Sequence, residues 1–158
     1  MNAGKTNALR LLEAAGIAYT PYEYPTEDGK IDAVSVAEKI GAEPERVLKT
    51  LVTESPDREH FVFIIPGNAE LDLKKAARAA GKKSIGMLRV KELLPLTGYV
   101  HGGCSPVGMK KLLPTWIDES AILFDRIFVS GGRIGLNLAI SPEALAGFTS
   151  ADFADLIQ

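Results

Sequence analysis

The sequence predicts a mixed α+β fold whose sheet is mainly antiparallel or mixed rather than doubly wound. Short helical patterns and β-branched strand patterns follow one another along the 158 residues. Two pairs of predicted strands are joined by turns too short for a crossover helix, and such turns are typical of antiparallel hairpins. Because the chain shows no repeat or linker and has the length of one domain, residues 1–158 are predicted to form a single domain.

The amino-terminal elements are a helix, a strand and a second helix. Thr6 is suited to cap the first helix and Gly16 to end it. A strand is predicted over residues 17–24, where Pro21 favours a sheet edge or a bulge. After a turn, the spacing of apolar residues predicts the second helix over residues 32–40.

The clearest strand patterns lie at residues 47–53 and 60–66, and the short turn between them predicts an antiparallel pair. The second strand is almost continuously apolar, which favours a central position covered on both faces. Lys49 shares one face of the first strand with Val47 and Leu51. A lysine in that place either extends its ammonium group to solvent or serves a ligand, and the pattern leaves both interpretations open.

The remaining elements are short. Helices are predicted over residues 72–80 and 90–96, with a short strand over 83–87 between them. Strands recur at residues 115–118, 126–130 and 136–140, with the glycine-rich residues 131–135 as the turn before the last strand. Pro142 begins one or two helical turns, and a final short helix is predicted over residues 149–156.

Composition indicates a soluble globular protein, with 46% hydrophobic and 24% charged residues. No apolar run approaches the roughly 18 residues of a membrane helix, so we expect no membrane association. The amino terminus lacks the apolar core of a signal peptide. A single cysteine excludes an internal disulfide and fits a reducing cytoplasm, which is the predicted location.

Positive charge is concentrated in the middle of the chain, although the net charge is only -2. Between Lys74 and Lys111 nine lysines and arginines stand against one acid, Glu92. Such an asymmetry suits a protein that faces a polyanion on one side. A solvated, lysine-rich helix face would give the same pattern.

Residues 98–111 contain four glycines, a proline and the only cysteine of the chain. Glycine lets a ligand approach the main chain closely, so this segment is predicted to present N–H groups rather than to carry a core. An ordinary surface loop is the alternative. His101 and Cys104 form a candidate base and thiol nucleophile, but an incidental histidine beside a small loop residue is the simpler interpretation.

Other chemical motifs are excluded by their context. Residues 4–6 (Gly-Lys-Thr) resemble the end of a phosphate-binding loop but lack its leading glycine and preceding strand. One cysteine and two histidines do not make an ordinary zinc site without added carboxylates. We therefore expect neither a metal nor a cofactor.

Three stretches in combination resemble the YbaK family of free-standing aminoacyl-tRNA deacylases, which are relatives of the editing domain inserted in bacterial prolyl-tRNA synthetase. The stretches are residues 46–51 (Arg-Val-Leu-Lys-Thr-Leu), 97–108 (from Thr-Gly-Tyr-Val-His to Pro-Val-Gly) and 129–133 (Val-Ser-Gly-Gly-Arg). The resemblance extends from Thr6 nearly to the carboxyl end. It implies one compact domain built around a mixed, largely antiparallel, barrel-like sheet surrounded by short helices.

The resemblance also implies the site. It makes Lys49 the pocket lysine and places a Gly-x-x-x-Pro loop from Gly102 to Pro106, with Lys49 and Gly102 as the catalytic residues. The substrate-binding residues that it implies are Tyr24, Thr50, Gly103, Pro106, Ser130 and Asn137. Some relatives are expected to carry an aspartate where this chain has Asn137, which argues against an Asp-dependent general base. Without the resemblance, Tyr24 and Ser130 would be interpreted as an ordinary strand tyrosine and turn serine.

The implied activity is hydrolysis of cysteine mischarged onto proline tRNA, with Cys-tRNA(Cys) as a further candidate substrate. Main-chain N–H groups at Gly102 and Gly103 would hold the ester carbonyl, and Lys49 would bind phosphate or assist near that carbonyl. The family's proposed chemistry uses the substrate's own thiol as nucleophile. Removal of alanine or another small amino acid, or binding of a tRNA end or nucleotide without turnover, are the alternatives. The expected partners are the aminoacyl-tRNA 3′ end and prolyl-tRNA synthetase.

Overall fold

The computed structural model describes residues 4–158. Its α-helices are α1 (Asn7–Ala14), α2 (Ala33–Ile40), α3 (Leu73–Ala80), α4 (Val90–Thr97) and α5 (Pro142–Thr149). Its strands are β1 (Thr20–Glu23), β2 (Leu48–Glu54), β3 (His60–Pro66), β4 (Gly86–Met87), β5 (Thr115–Asp118), β6 (Ile127–Arg133), β7 (Leu136–Ile140) and β8 (Asp152–Ala154). Two 3₁₀ turns lie at Pro44–Arg46 and Glu119–Leu123.

The strands form two sheets, which confirms the predicted mixed α+β class. The larger sheet has the order β4-β2-β3-β5-β8, and the smaller has the order β1-β7-β6. The smaller sheet is antiparallel throughout, whereas β5 runs parallel to both β3 and β8 in the larger one. An isolated parallel bridge between Val47 and Phe128 joins the sheets. Within residues 4–158 the strands therefore do not form a closed barrel.

Strand β3 lies at the centre of the larger sheet, as its apolar sequence predicts. All seven of its residues pair antiparallel with β2. Val62 and Ile64 belong to the main core between the sheets, which also takes in the apolar face of α1. Phe63 and Ile65 point to the opposite face and pack in a second cluster with α3. Every side chain from Val62 to Ile65 is completely buried, so β3 is covered on both faces.

The predicted helices in the first half of the chain are confirmed, and side chains satisfy their terminal N–H groups. Thr6 accepts a hydrogen bond at the start of α1, Asp32 at the start of α2 and Asp72 at the start of α3. Gly41 and Gly81 end α2 and α3 in the left-handed conformation. These local contacts explain why sequence patterns alone located the helices.

The glycine-rich residues 131–135 are not simply the turn that we expected. Strand β6 continues through Arg133, with a bulge between Ser130 and Arg133, and the chain turns at residues 134–135. Gly131 lies within strand β6. A Cβ atom at this position would lie 2.7 Å from Leu136 Cγ, so there is no room for a side chain. Glycine here therefore permits close packing between β6 and β7 rather than a wide turn.

The helix predicted over residues 149–156 is wrong. Ser150 adopts a positive φ of 57° and ends α5, after which the chain extends as β8 beside β5. Leu156 is fully buried, its N–H donates to Asp118 Oδ1, and its carbonyl accepts from the Asp72 N–H. These long-range hydrogen bonds, which sequence spacing does not reveal, favour the extended form.

Acidic residues from elsewhere in the chain neutralise part of the positive charge of residues 74–111. Lys75 pairs with Asp155 at 3.0 Å, and Lys82 pairs with Asp57 at 3.0 Å. Both lysines lie on or next to α3, so this part of the segment is a solvated, ion-paired surface.

None of the helices among residues 4–158 has the length and apolar character needed to cross a bilayer.

The first prediction concerns Asp118, which is 1% exposed and holds the carboxyl-terminal segment through the Leu156 N–H. Asp118→Ala leaves that buried donor unpaired, which we expect to lower the free energy of unfolding by about 1–3 kcal/mol. Urea denaturation followed by circular dichroism measures the change. Asp155→Ala is the control, because its exposed pair with Lys75 contributes less than about 1 kcal/mol. Equal losses in the two variants would contradict the role of Asp118.

Candidate functional site

A cavity of about 590 Å³ lies beside β2, between the two sheets and the starts of α2 and α4. Its size is that of a site for a small molecule. Apolar side chains from α2 and α4 form much of its walls, while β2, β6, β7 and the glycine-rich segment contribute the polar ones. The predicted site residues on its lining are Tyr24, Lys49, Thr50, Gly102, Ser130 and Asn137, and the candidate base and nucleophile, His101 and Cys104, also lie on it.

An open edge of β2 provides one wall. In the described chain β4 pairs with β2 only at Thr53 and Glu54. The Val52 carbonyl points to this edge and accepts from the Leu88 N–H at 3.0 Å. Because main-chain groups two residues apart in a strand point the same way, Thr50 directs its N–H and carbonyl to the cavity side. The Thr50 Oγ1 atom is also buried without a hydrogen-bond partner among residues 4–158. A buried hydroxyl without a partner in the protein keeps its hydrogen-bonding capacity for a ligand or an ordered water.

Lys49 contributes the positive charge of the cavity wall. Its side chain is half-buried, and no ion pair or hydrogen bond engages its ammonium group within the described residues. The carboxylate on the lining, Asp32, is occupied as the cap of α2 and accepts from both the N–H and the hydroxyl of Ser35. These hydrogen bonds lower the pKa of Asp32, which keeps it ionised. The Lys49 ammonium is therefore available to a ligand.

The opposite wall comes from the smaller sheet. Ser130 in β6 and Asn137 in β7 are directly paired across the strands, so their side chains lie side by side. Ser130 Oγ accepts from the Gly132 N–H, and Asn137 Oδ1 accepts from the Leu138 N–H. Both side chains keep hydrogen-bonding capacity for a ligand. With an amide rather than a carboxylate at Asn137, this wall carries no charge from that position.

The glycine-rich segment divides into a part that lines the cavity and a part that belongs to the core. Gly102 lines the cavity with a φ of +89°, and a Cβ atom there would lie 2.5 Å from Ile31 Cδ1. Gly103 and Pro106 are buried and do not lie on the cavity lining. Val107 is fully buried in the main cluster, so the expectation that the segment carries no core was wrong.

The predicted main-chain donors must also be revised. The Gly103 N–H donates to the Val100 carbonyl at 3.0 Å and closes a turn. It is therefore committed within the protein. The Gly102 N–H has no acceptor among residues 4–158. Of the two predicted donors only the Gly102 N–H is uncommitted, and the open edge of β2 adds the N–H of Thr50.

The environment of Cys104 does not support a thiol nucleophile paired with His101. Cys104 is 9% exposed and packs within the main core, whereas His101 is exposed. Desolvation raises the pKa of the Cys104 thiol to about 12. A thiol with that pKa is almost entirely un-ionised at neutral pH, and the thiolate is the nucleophilic form. Among residues 4–158 no cluster of three or more His, Cys, Asp or Glu side chains is placed to hold a metal ion.

Sequence reasoning missed the apolar walls. Ile31 lines the cavity from the segment before α2. Leu88, just before α4, and Val90 and Leu93 in its first turn line it as well. Val90 is 66% exposed, so part of this apolar wall faces solvent. The pattern of the sequence offered no signal for Ile31. Together the residues form an apolar slot with one cation, two main-chain donor positions and several neutral polar groups.

Comparison with known proteins gives matches over nearly the whole chain. A model of the aminoacyl-tRNA editing domain family matches residues 28–148. The chain is 45% identical over 152 residues to the "Putative Cys-tRNA(Pro)/Cys-tRNA(Cys) deacylase EbsC" of Enterococcus faecalis, covering 96% of this chain and 93% of that protein. It is 27% identical over 122 residues to the proline–tRNA ligase of Thermosipho melanesiensis, covering 77% of this chain but 21% of the ligase.

Two solved structures share the fold. A crystal structure described as "a putative trans-editing enzyme for prolyl tRNA synthetase" superposes with a TM-score of 0.85 at 28% identity, covering 98% of this chain and 99% of that one. The structure of hypothetical protein APE2540 gives a TM-score of 0.88 at 24% identity, covering 97% of this chain and all of that one. At that identity the second match supports the architecture alone.

The second prediction tests the burial of Cys104. The native protein should resist iodoacetamide at pH 8, because a thiol with a pKa of about 12 is ionised in about one molecule in 10⁴ at that pH. The same protein in urea should be alkylated completely, since the thiol is then solvated. Intact-mass spectrometry of both samples measures the reaction. Equal alkylation rates in the native and unfolded protein would contradict the buried, protonated thiol.

Proposed function

The chain belongs to the aminoacyl-tRNA editing domain family, and on that premise we propose that it hydrolyses the ester of cysteine mischarged onto proline tRNA. The observation that carries the proposal is that an unpaired ammonium, an orphaned hydroxyl and an unpaired main-chain donor line one cavity. They belong to Lys49, Thr50 and Gly102. A relative that is 45% identical carries the corresponding activity in its name. Cys-tRNA(Cys) is a second candidate substrate on the same ground.

The geometry supplies binding and polarisation. The aminoacyl ester enters the apolar slot, and the N–H groups of Gly102 and Thr50 donate to its carbonyl oxygen. Lys49 supplies positive charge to the same oxygen as negative charge develops there. Such donors act most strongly in a site that excludes water and is fixed before the reaction begins. Ser130 and Asn137 hydrogen-bond the polar groups of the amino acid or the terminal ribose.

The nucleophile is the thiol of the substrate's own cysteine. Its sulfur attacks the carbonyl carbon, a C–S bond forms, and the C–O bond to the ribose breaks. The thiol proton passes to the departing ribose oxygen. Water then hydrolyses the cyclic thioester to cysteine. The protein contributes positioning, which alone is worth several orders of magnitude in an intramolecular reaction. The buried Cys104 takes no part in this route.

A substrate-supplied nucleophile also explains selectivity. A pocket that separates amino acids by one small group gains about 1–3 kcal/mol, or about 10- to 200-fold. Alanine carries no thiol, so a route that needs one rejects alanine chemically. The tRNA 3′ end is the binding partner that this chemistry requires. Similarity to proline–tRNA ligases supports prolyl-tRNA synthetase as the partner that delivers the tRNA. We expect the activity in the cytoplasm, where tRNA is charged.

The third prediction concerns the amino acid that is removed. We expect Cys-tRNA(Pro) to be deacylated about 10³-fold faster than Ser-tRNA(Pro) or Ala-tRNA(Pro). That ratio exceeds the roughly 10- to 200-fold that a pocket gains by size alone. Serine is the matched control because it differs from cysteine in one atom. Release of labelled amino acid at equal tRNA concentration measures the rates. Faster removal of alanine would identify an alanine deacylase instead, and binding without hydrolysis of any ester would identify a tRNA-end-binding module.

The fourth prediction concerns Lys49. Lys49→Met keeps the apolar stem and removes the charge, and we expect kcat/KM for Cys-tRNA(Pro) to fall by about 10²-fold or more. The melting temperature should change by less than about 2 °C, because no partner within the described residues loses a contact. Lys74→Met on the exposed face of α3 is the matched control and should keep full activity. A large loss of stability in Lys49→Met would instead show that the lysine serves the fold.

A further inference from the structure

One wall of the cavity is a surface segment with little support of its own. Residues 25–31 connect β1 to the start of α2 and supply Gly29 and Ile31 to the cavity lining. Most of these residues are exposed. Within the segment, the Gly29 N–H donates to the Thr26 carbonyl, and Asp28 accepts from the Lys30 N–H. Two local turns of this kind do not fix where the segment lies relative to the cavity.

Among residues 4–158, the hydrogen bonds that join this segment to the body of α2 come from one side chain. Lys39, in the last turn of α2, donates to the Pro25 carbonyl at 2.7 Å, to Asp28 Oδ1 at 2.8 Å and to the Lys30 carbonyl at 2.8 Å. A lysine ammonium has three donors, so its full capacity is used on residues 25–31. The Lys39 side chain is only 13% exposed, and its Nζ lies 5.8 Å from the centre of the Tyr24 ring. Hydrogen bonds from a charged donor are stronger than neutral ones.

The position of this segment determines a cavity wall beside the reacting groups. Ile31 Cδ1 occupies the space that a Cβ atom on Gly102 would need, so the two residues are in close contact. Gly102 carries the open main-chain donor of the site. If residues 25–31 moved away, the cavity would widen next to that donor and a ligand there would lose its contact with Ile31.

We propose that Lys39 is a positioning residue, which holds residues 25–31 against the cavity so that Ile31 forms its wall beside Gly102. The kinetic part of this inference rests on the proposed deacylase function. Lys39 does not touch the substrate. It raises the population of the closed, binding-competent arrangement, so it acts on substrate affinity rather than on the bond-breaking step.

Lys39→Met is the variant that tests the inference, and Lys75→Met is its matched control. Lys75 also donates three hydrogen bonds, to both carboxylate oxygens of Asp155 and to the Ile157 carbonyl, but it fastens the carboxyl-terminal segment instead. Both variants lose an ammonium that bridges a helix to a distant segment. Only Lys39→Met should change the cavity.

Hydrogen exchange read by mass spectrometry gives a result that needs no substrate. We expect the two hydrogen-bonded amides of the segment, those of Gly29 and Lys30, to exchange at least about fivefold faster in Lys39→Met, with unchanged exchange there in Lys75→Met. Asp28→Ala removes one of the three acceptors at an exposed position and should give a smaller change in the same direction. Unchanged exchange in Lys39→Met, or an equal change in Lys75→Met, overturns the inference even if the protein proves to be a deacylase.

Kinetics on Cys-tRNA(Pro) then test the consequence for binding. We expect KM to rise by about five- to tenfold in Lys39→Met with kcat within about twofold, because only the closed fraction binds. Ile31→Ala should raise KM by itself, and adding Lys39→Met to it should change KM by less than about twofold, because Lys39 acts through Ile31. A fall in kcat with unchanged KM, or fully multiplicative effects, overturns the inference. Absence of hydrolysis by the unaltered protein contradicts the proposed function and leaves the exchange result to decide the inference.

Discussion

The pairing of β2 with β3 along seven residues is the constraint on which the rest of the structure depends. Because β3 is buried on both faces, it fixes the position of β2 within the larger sheet. The strand β2 then pairs with β4 at its carboxyl-terminal end only, in the chain from residue 4 onward. Its remaining edge faces the smaller sheet across the cavity. A rigid strand with one open edge is a suitable support for residues that must be placed accurately.

The chemistry of the site follows from that open edge. Within residues 4–158 the Lys49 ammonium has no partner, and Thr50 has an unsatisfied hydroxyl and main-chain groups directed to the cavity. A buried hydroxyl without a partner costs free energy, so a group that hydrogen-bonds Thr50 in the cavity would be favoured. The wall opposite is neutral, with Ser130 and Asn137 paired across two strands. In the proposed reaction the cavity polarises a carbonyl group and the substrate supplies the nucleophile.

The glycine-rich segment and residues 25–31 complete the cavity in different ways. The first is anchored in the core through Cys104 and Val107, and it presents Gly102 at a φ that other residues rarely adopt. The second is held from outside by Lys39. One wall is therefore fixed by packing, whereas the other is fixed by three hydrogen bonds to one ammonium group. The two walls meet where Ile31 contacts Gly102.

Sequence alone determined the helices with side-chain caps, the β2–β3 hairpin and the family, because these depend on local spacing and on a few adjacent residues. It placed Lys49 and Thr50 on opposite faces of one strand, and only the tertiary structure shows that the cavity extends around the open edge and reaches both. The extended path of residues 152–154 and the burial of Cys104 were likewise decided by long-range contacts. Local sequence patterns cannot encode such contacts, because their partners lie tens of residues away in the chain.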